Sequence, residues 1–147
     1  MGRPSGRAWA RLCAESICML KHLKVLQLKS CWLLEKLPED LGQLECLEEL
    51  FISECIFLRE IPKSMCKMKH LKYLCLPYCI LVEKLPEEFG CLESLQVLDI
   101  ECTGISHLPQ SIFSLKGLSI SGSRWLIESF GFATVIQKSR YVASCNI

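Results

Sequence analysis

The sequence predicts an α/β solenoid, a stack of short coils whose strands form one curved parallel β-sheet on the concave side. Short helical or irregular segments return along the convex side. Three observations predict it. The stretches SCWLLEKLP, ECIFLREIP and YCILVEKLP recur at a constant interval; Cys31, Cys55 and Cys79 are each 24 residues apart; and every copy opens on LxxLxxLxL or a conservative variant. A fixed period of this length marks stacked structural repeats.

The copies are 20–43, 44–67, 68–91 and 92–114. A degenerate copy at 12–19 precedes them, with Ala14 where later copies carry Pro, and a partial copy at 115–120 follows. In that last copy Leu115 and Leu118 persist, while three residues of the strand register are expected to be missing. The solenoid therefore spans 12–120, with a flexible basic leader at 1–11 and a C-terminal cap at 121–147.

Each coil follows from side-chain periodicity. Alternation with period two puts Leu26 and Leu28, Leu50 and Ile52, Leu74 and Leu76, and Leu98 and Ile100 on the inward side of successive strands. Leu34, Leu37 and Leu41 and their equivalents close the coil from the convex side. Pro38 and Pro86 each precede two acids, which suits the first turn of a short helical segment, where a missing N–H costs nothing and negative charge is favoured. One coil buries too little to order itself, so stacking must stabilise it.

The shorter copy, ECTGISHLP, has Thr103 at the position of the ladder cysteine and Gly104 in its crossing, where a sharp or positive-φ turn is expected. Beyond Ile120, ATVIQ and RYVAS read as strands, and Trp125, Phe130 and Phe132 are expected to cover the last coil.

Half of the 147 residues are hydrophobic, and 17 basic residues nearly balance 16 acidic ones. This composition excludes a disordered chain. Charged or amide residues break every apolar run short of the ~20 a membrane span needs, and Arg11 and Glu15 interrupt the segment a secretory signal would require. The eleven cysteines are therefore expected to stay reduced, with those at 31, 55 and 79 packed as small interior hydrophobes close enough for oxidative cross-linking. Cys75 and Cys79 are one residue too far apart for CxxC, so no metal is expected.

No catalytic constellation emerges either. GLSIS at 117–121 ends in Ser where a nucleophile elbow needs Gly, and His22 and His70 share one repeat position. His107 lies in the convex crossing, and Glu39, Asp40, Glu87 and Glu88 read as solvated helix-start charges. The chain is expected not to be an enzyme and to hold no cofactor. Arg3, Arg7, Arg11, Lys21 and Lys24 gather near one end, but Pro4 and Gly6 disfavour a helix there, so nucleic-acid binding is not expected.

Function then falls to outward strand positions. Val25, Gln27 and Lys29, Glu49, Phe51 and Ser53, Tyr73, Cys75 and Pro77, and Val97, Asp99 and Glu101 are expected on the concave face, with Tyr78 beside them. Phe51, Tyr73 and Tyr78 would make an aromatic patch rimmed by Glu49, Glu54, Asp99, Glu101, Lys29 and Lys72, as protein interfaces favour. The competing reading makes Phe51 and Tyr73 a cross-strand pair that needs no partner.

The LxxLxL opening with a period of 23 to 24 is the leucine-rich repeat signature. TGISHLPQSI and LPEDLGQLECLEEL further resemble the leucine-rich repeat region of plant intracellular nucleotide-binding disease-resistance proteins, those of the TIR type, over residues 12 to 120. That resemblance implies a defence-related protein-binding module, cytoplasmic with the nucleus as a second location. Its partners would be a pathogen effector, a guarded host protein, or the nucleotide-binding domain of a receptor. No GxxxxGK[ST] occurs in the chain, and no TIR-like or coiled-coil segment fits the first 19 residues, so a fragment of such a receptor is expected. Alternatives are an intracellular scaffold that binds a small GTPase or kinase, and a substrate-recruiting subunit of a ubiquitin ligase. Open solenoid ends are expected to favour self-association.

Overall fold

A computed structural model describes residues 17–129. The leader at 1–11, most of the degenerate copy, Phe130, Phe132 and the two strands expected near the C-terminus lie outside the described residues.

Five strands, β1 (Val25–Lys29), β2 (Glu49–Ser53), β3 (Tyr73–Cys75), β4 (Val97–Asp99) and β5 (Ser119–Ser121), form one parallel sheet in chain order. The register of the first four follows the repeat, with Leu26, Leu50, Leu74 and Leu98 aligned. Their inward side chains are buried, as are Leu28, Ile52, Leu76 and Ile100 one step further on. Leu34, Leu58, Val82 and Ile105, then Leu37, Ile61, Leu85 and Leu108, continue the same columns into a single core that runs through the coils. Burial of these columns is the main favourable term, because each coil covers the apolar flank of the next.

Four non-glycine residues, Ser30, Glu54, Tyr78 and Cys102, have left-handed backbones with φ between 53° and 63°. They occupy the same place in successive coils. The N–H of Ser30 donates to the Ser53 carbonyl at 2.9 Å, that of Glu54 to Pro77 at 3.0 Å and that of Tyr78 to Glu101 at 2.9 Å. The left-handed turn thus extends the ladder between coils past the strand end, at a backbone cost of roughly 1 kcal/mol per residue.

Just after each turn the chain dives inward. Cys55 and Cys79 are fully buried, and their thiols donate to the Ser53 carbonyl at 3.6 Å and the Ile52 carbonyl at 3.3 Å. Cys31, in the first of these coils, is only half-buried. The Cys79 thiol beside it, together with burial, pushes Cys55 up, so it stays protonated. Cys102 departs from the expectation of uniformly reduced cysteines: it stands one place earlier, at the half-buried left-handed turn, and is disulfide-bonded.

The convex side is made of short 3-10 segments at Leu41–Gln43, Lys63–Lys67, Phe89–Cys91 and Gln110–Ser114. The acids after Pro38 and Pro86 do not fill a helical first turn. Helix begins only at Leu41 and Phe89, because the coil needs a turn there to bring those side chains inward.

Three further expectations are corrected. Gly104 does not take a positive φ, which among the described glycines belongs to Gly117 alone; a Cβ on Gly104 would instead lie 2.8 Å from the Ile80 carbonyl oxygen. The shortened coil needs glycine for close approach to its neighbour. The partial copy lacks one strand residue and not three, since Ile120 pairs with Leu98 and β5 joins the sheet. Gly117, with φ of 76°, makes the adjustment. Trp125 does not cover the last coil and is 67% exposed; it lies on the short helix α1 (Arg124–Ser129), whose Leu126 and Ile127 are the buried residues.

Candidate functional site: the concave sheet face

Strand alternation sends every second side chain to the concave face, and the parallel register turns those positions into columns about 4.8 Å apart between strands. One column holds Val25, Glu49, Tyr73, Val97 and Ser119; the next holds Gln27, Phe51, Cys75, Asp99 and Ser121. Lys29 and Ser53 begin a third. Val25, Gln27 and Lys29 are exposed, whereas Glu49, Phe51, Ser53, Tyr73, Cys75, Val97 and Asp99 are half-buried. Pro77 is half-buried where the chain turns away, and Tyr78 is exposed on the left-handed turn.

The structure corrects one expected member of this face. Glu101 is only 4% exposed. Its N–H donates to Asp99 Oδ1 at 3.0 Å and its carbonyl accepts from Tyr78, and with so little exposure the residue is no part of an acidic rim.

Phe51 and Tyr73 lie in adjacent columns on adjacent strands. Phe51 is in register with Cys75, and Tyr73 with Glu49 and Val97, so the two aromatics stand diagonally and not opposite each other. The small Cys75 separates Phe51 from Asp99 in its column. Burial, and then the carboxylates of Asp99 and Glu49, push the Cys75 thiol up to about 12. Burial likewise raises Asp99, against the opposing effect of the Glu101 N–H. Charge pairing is sparse at the edge of the face, where Lys72 Nζ lies 3.7 Å from Glu48 Oε2. Glu54 is tied to the neighbouring coil by the Ser30 hydroxyl at 2.9 Å.

A second apolar feature flanks this face. Trp32, Leu33, Phe57 and Ile80 are exposed just after the ladder cysteines, half-buried Cys31 and buried Cys55 and Cys79, in the segment that leads away from the concave face. Their signal is the pair of apolar letters after each ladder cysteine, WL, IF and IL, which looks like core when only hydrophobicity is read. The row ends where the fourth copy has Gly104.

Among the described residues no group of three or more His, Cys, Asp or Glu side chains is arranged to hold a metal ion. No helix among them is long and apolar enough to cross a membrane.

Comparison with known proteins matches this geometry. Residues 63–121 match the family described as "Leucine-rich repeat region", and residues 22–44 match "Leucine Rich Repeat". Over 44 residues the chain is 41% identical to "Disease resistance protein RPS4" of Arabidopsis thaliana, a stretch that is 30% of this chain and 4% of that protein. Among solved structures it is similar to the leucine-rich repeat domain of the type III effector XCV3220 (XopL), with a TM-score of 0.70 and 31% identity over 77% of this chain and 38% of that one. It is also similar to the plant peptide hormone receptor RGFR1 in complex with RGF2, with a TM-score of 0.59 and 31% identity over 73% of this chain and 18% of the receptor chain. The chain thus spans a small part of the curated relatives it matches and less than half of these solved chains. Five in-register parallel strands, one continuous leucine core and two matched segments make residues 22–121 a leucine-rich repeat solenoid.

Proposed function

We propose that this chain is the protein-recognition region of a plant immune receptor and engages its partner through the concave face of β1 to β4. The observation that carries the reading is the diagonal of half-exposed Phe51 and Tyr73, with exposed Tyr78 on the turn after β3, on a sheet face that no other described element covers. Such aromatics supply large contact area at low entropic cost, and a partner would remove them from water. The 41% identity with RPS4 over one stretch supports the defence assignment. The likeness to a receptor solved with RGF2 supports recognition by this architecture.

In this reading the partner is a pathogen effector, a guarded host protein, or a receptor's own nucleotide-binding domain, and the chain works in the cytoplasm. It acts by binding, without chemistry of its own. The test is pull-down of a plant extract followed by reciprocal binding with the Phe51→Ala/Tyr73→Ala variant. Capture of each identified partner is expected to fall at least about tenfold, since two interface aromatics together contribute on the order of 2 kcal/mol or more. Unchanged capture would remove the concave face from the mechanism.

A further inference from the structure

The centre of the concave face combines three properties that together select for a cation. Cys75 is small and stands in register between Phe51 on one strand and Asp99 on the other. It leaves a low point between larger side chains. Glu49 and Asp99 lie on either side of this point, and no Lys or Arg among the described residues comes within ion-pair distance of either carboxylate. Tyr73, aligned with both Glu49 and Val97, and Phe51 complete the surround with half-exposed rings. An aromatic ring attracts a cation through its negative face, and does so more strongly where water is partly excluded.

We infer that the low point over Cys75 seats a lysine or arginine side chain from a protein partner, its cation between the Glu49 and Asp99 carboxylates and its aliphatic stem against Phe51 and Tyr73. Charge complementarity commits the site to a basic protein segment. A partner that places an acid or an amide here leaves two carboxylates partly desolvated and unpaired, so the site discriminates by penalty as well as by attraction. Burial raises both the Cys75 thiol and the Asp99 carboxyl, consistent with restricted hydration at this point, and the carboxylates of Asp99 and Glu49 raise the thiol further, consistent with negative potential there. The same low point would admit the long stem of Lys or Arg, which buries methylenes while its head group stays polar.

This inference rests on the concave face being the recognition surface, and the experiment separates the two. A random peptide library displayed on phage is panned on the full chain, and bound clones are compared on Tyr73→Ala, on Glu49→Gln/Asp99→Asn, and on Glu35→Gln as an exposed acid elsewhere. Clones that depend on Tyr73 are expected to share a Lys or Arg. Their binding should weaken by about tenfold or more on the double variant, remain unchanged on Glu35→Gln, and fall as salt rises. Tyr73-dependent clones that lack a cation, or that bind the double variant equally well, overturn the cation site while leaving concave recognition standing. A library that yields no Tyr73-dependent clone overturns both. Circular dichroism of each variant guards against loss of fold, since both substitutions in the double variant keep side-chain shape.

Discussion

The N–H of Gly42 donates to the hydroxyl of Ser64 at 3.1 Å, and a Cβ added to Gly42 would overlap the Ser64 carbonyl oxygen. The same relation recurs between Gly90 and Ser111, where the N–H to Oγ distance is 2.9 Å. The 3-10 segments Leu41–Gln43 and Lys63–Lys67, and likewise Phe89–Cys91 and Gln110–Ser114, are therefore locked together by a glycine that lets backbones approach and a serine that satisfies the amide this approach buries; Cys66 holds the glycine position in the coil between, where the interlock does not recur. Gly42→Ala is expected to destabilise the fold by about 1–3 kcal/mol, because the clash is with backbone and cannot be relieved by a side-chain rotation. Ser64→Ala should cost about 1 kcal/mol, the worth of one hydrogen bond. Urea unfolding followed by circular dichroism measures both, and a Gly42→Ala midpoint equal to that of the parent chain would refute the interlock.

Leu74 lies between Leu50 and Leu98 in the central column, and all three are fully buried. Leu74→Ala is expected to cost about 2–5 kcal/mol, since neighbours on both sides hold the cavity open. Leu33→Ala removes an exposed side chain of the flanking row and should stay within about 0.5 kcal/mol. Equal losses in the two variants would show that the flank is part of the core.

Asp99 links stability to pH through its burial. Its carboxyl is raised above the ordinary carboxylate range, so the folded state holds the proton more tightly than the unfolded chain. The stability it contributes is present below the unfolded value, near 3.9, and is lost as pH rises through the folded one. At neutral pH the buried charge is therefore a cost. Asp99→Asn keeps an acceptor for the Glu101 N–H and is expected to melt higher than the parent chain at pH 7, with the difference shrinking as the pH falls toward about 4. A difference that is constant across this range would assign the effect to something other than titration.

Thiol labelling should rank the cysteines by position. Among the described cysteines Cys91 is exposed and is expected to react first with a disulfide reagent. Cys55 and Cys79, with no exposed surface, should react only when their coils open. Cys75 is reachable, but a thiol held near 12 presents only about one thiolate in ten thousand at pH 8, so it should label slowly and gain rate in Glu49→Gln/Asp99→Asn. Mass spectrometry of timed samples reads each site, and fast labelling of Cys55 or Cys79 in the native state would contradict the packing.

Most of the fold was legible because its signal is periodic. The column Leu26, Leu50, Leu74, Leu98 can be read from spacing alone, since a strand that buries one face must repeat with period two and a stack of coils must repeat its strands. The outward columns follow from the same alternation, which puts Phe51, Tyr73, Cys75 and Asp99 on the side of the sheet away from the leucines. Glu101 departs from it. Alternation gives Glu101 the same outward side as Lys29, Ser53 and Pro77, which precede the other three left-handed turns, yet Glu101 alone of the four is buried, and nothing in the repeat marks that difference.

By itself, then, the chain's order of residues determined the solenoid, the inward leucines and the candidate face, because each depends on local side-chain alternation repeated at a constant interval. Only the tertiary structure decided which column neighbours meet, that Phe51 and Tyr73 lie on a diagonal, that Gly104 serves close approach, and that the row from Trp32 to Ile80 faces water. Those outcomes depend on how one coil sits against the next. That distance and register are fixed by packing between residues more than twenty positions apart, which no single coil encodes.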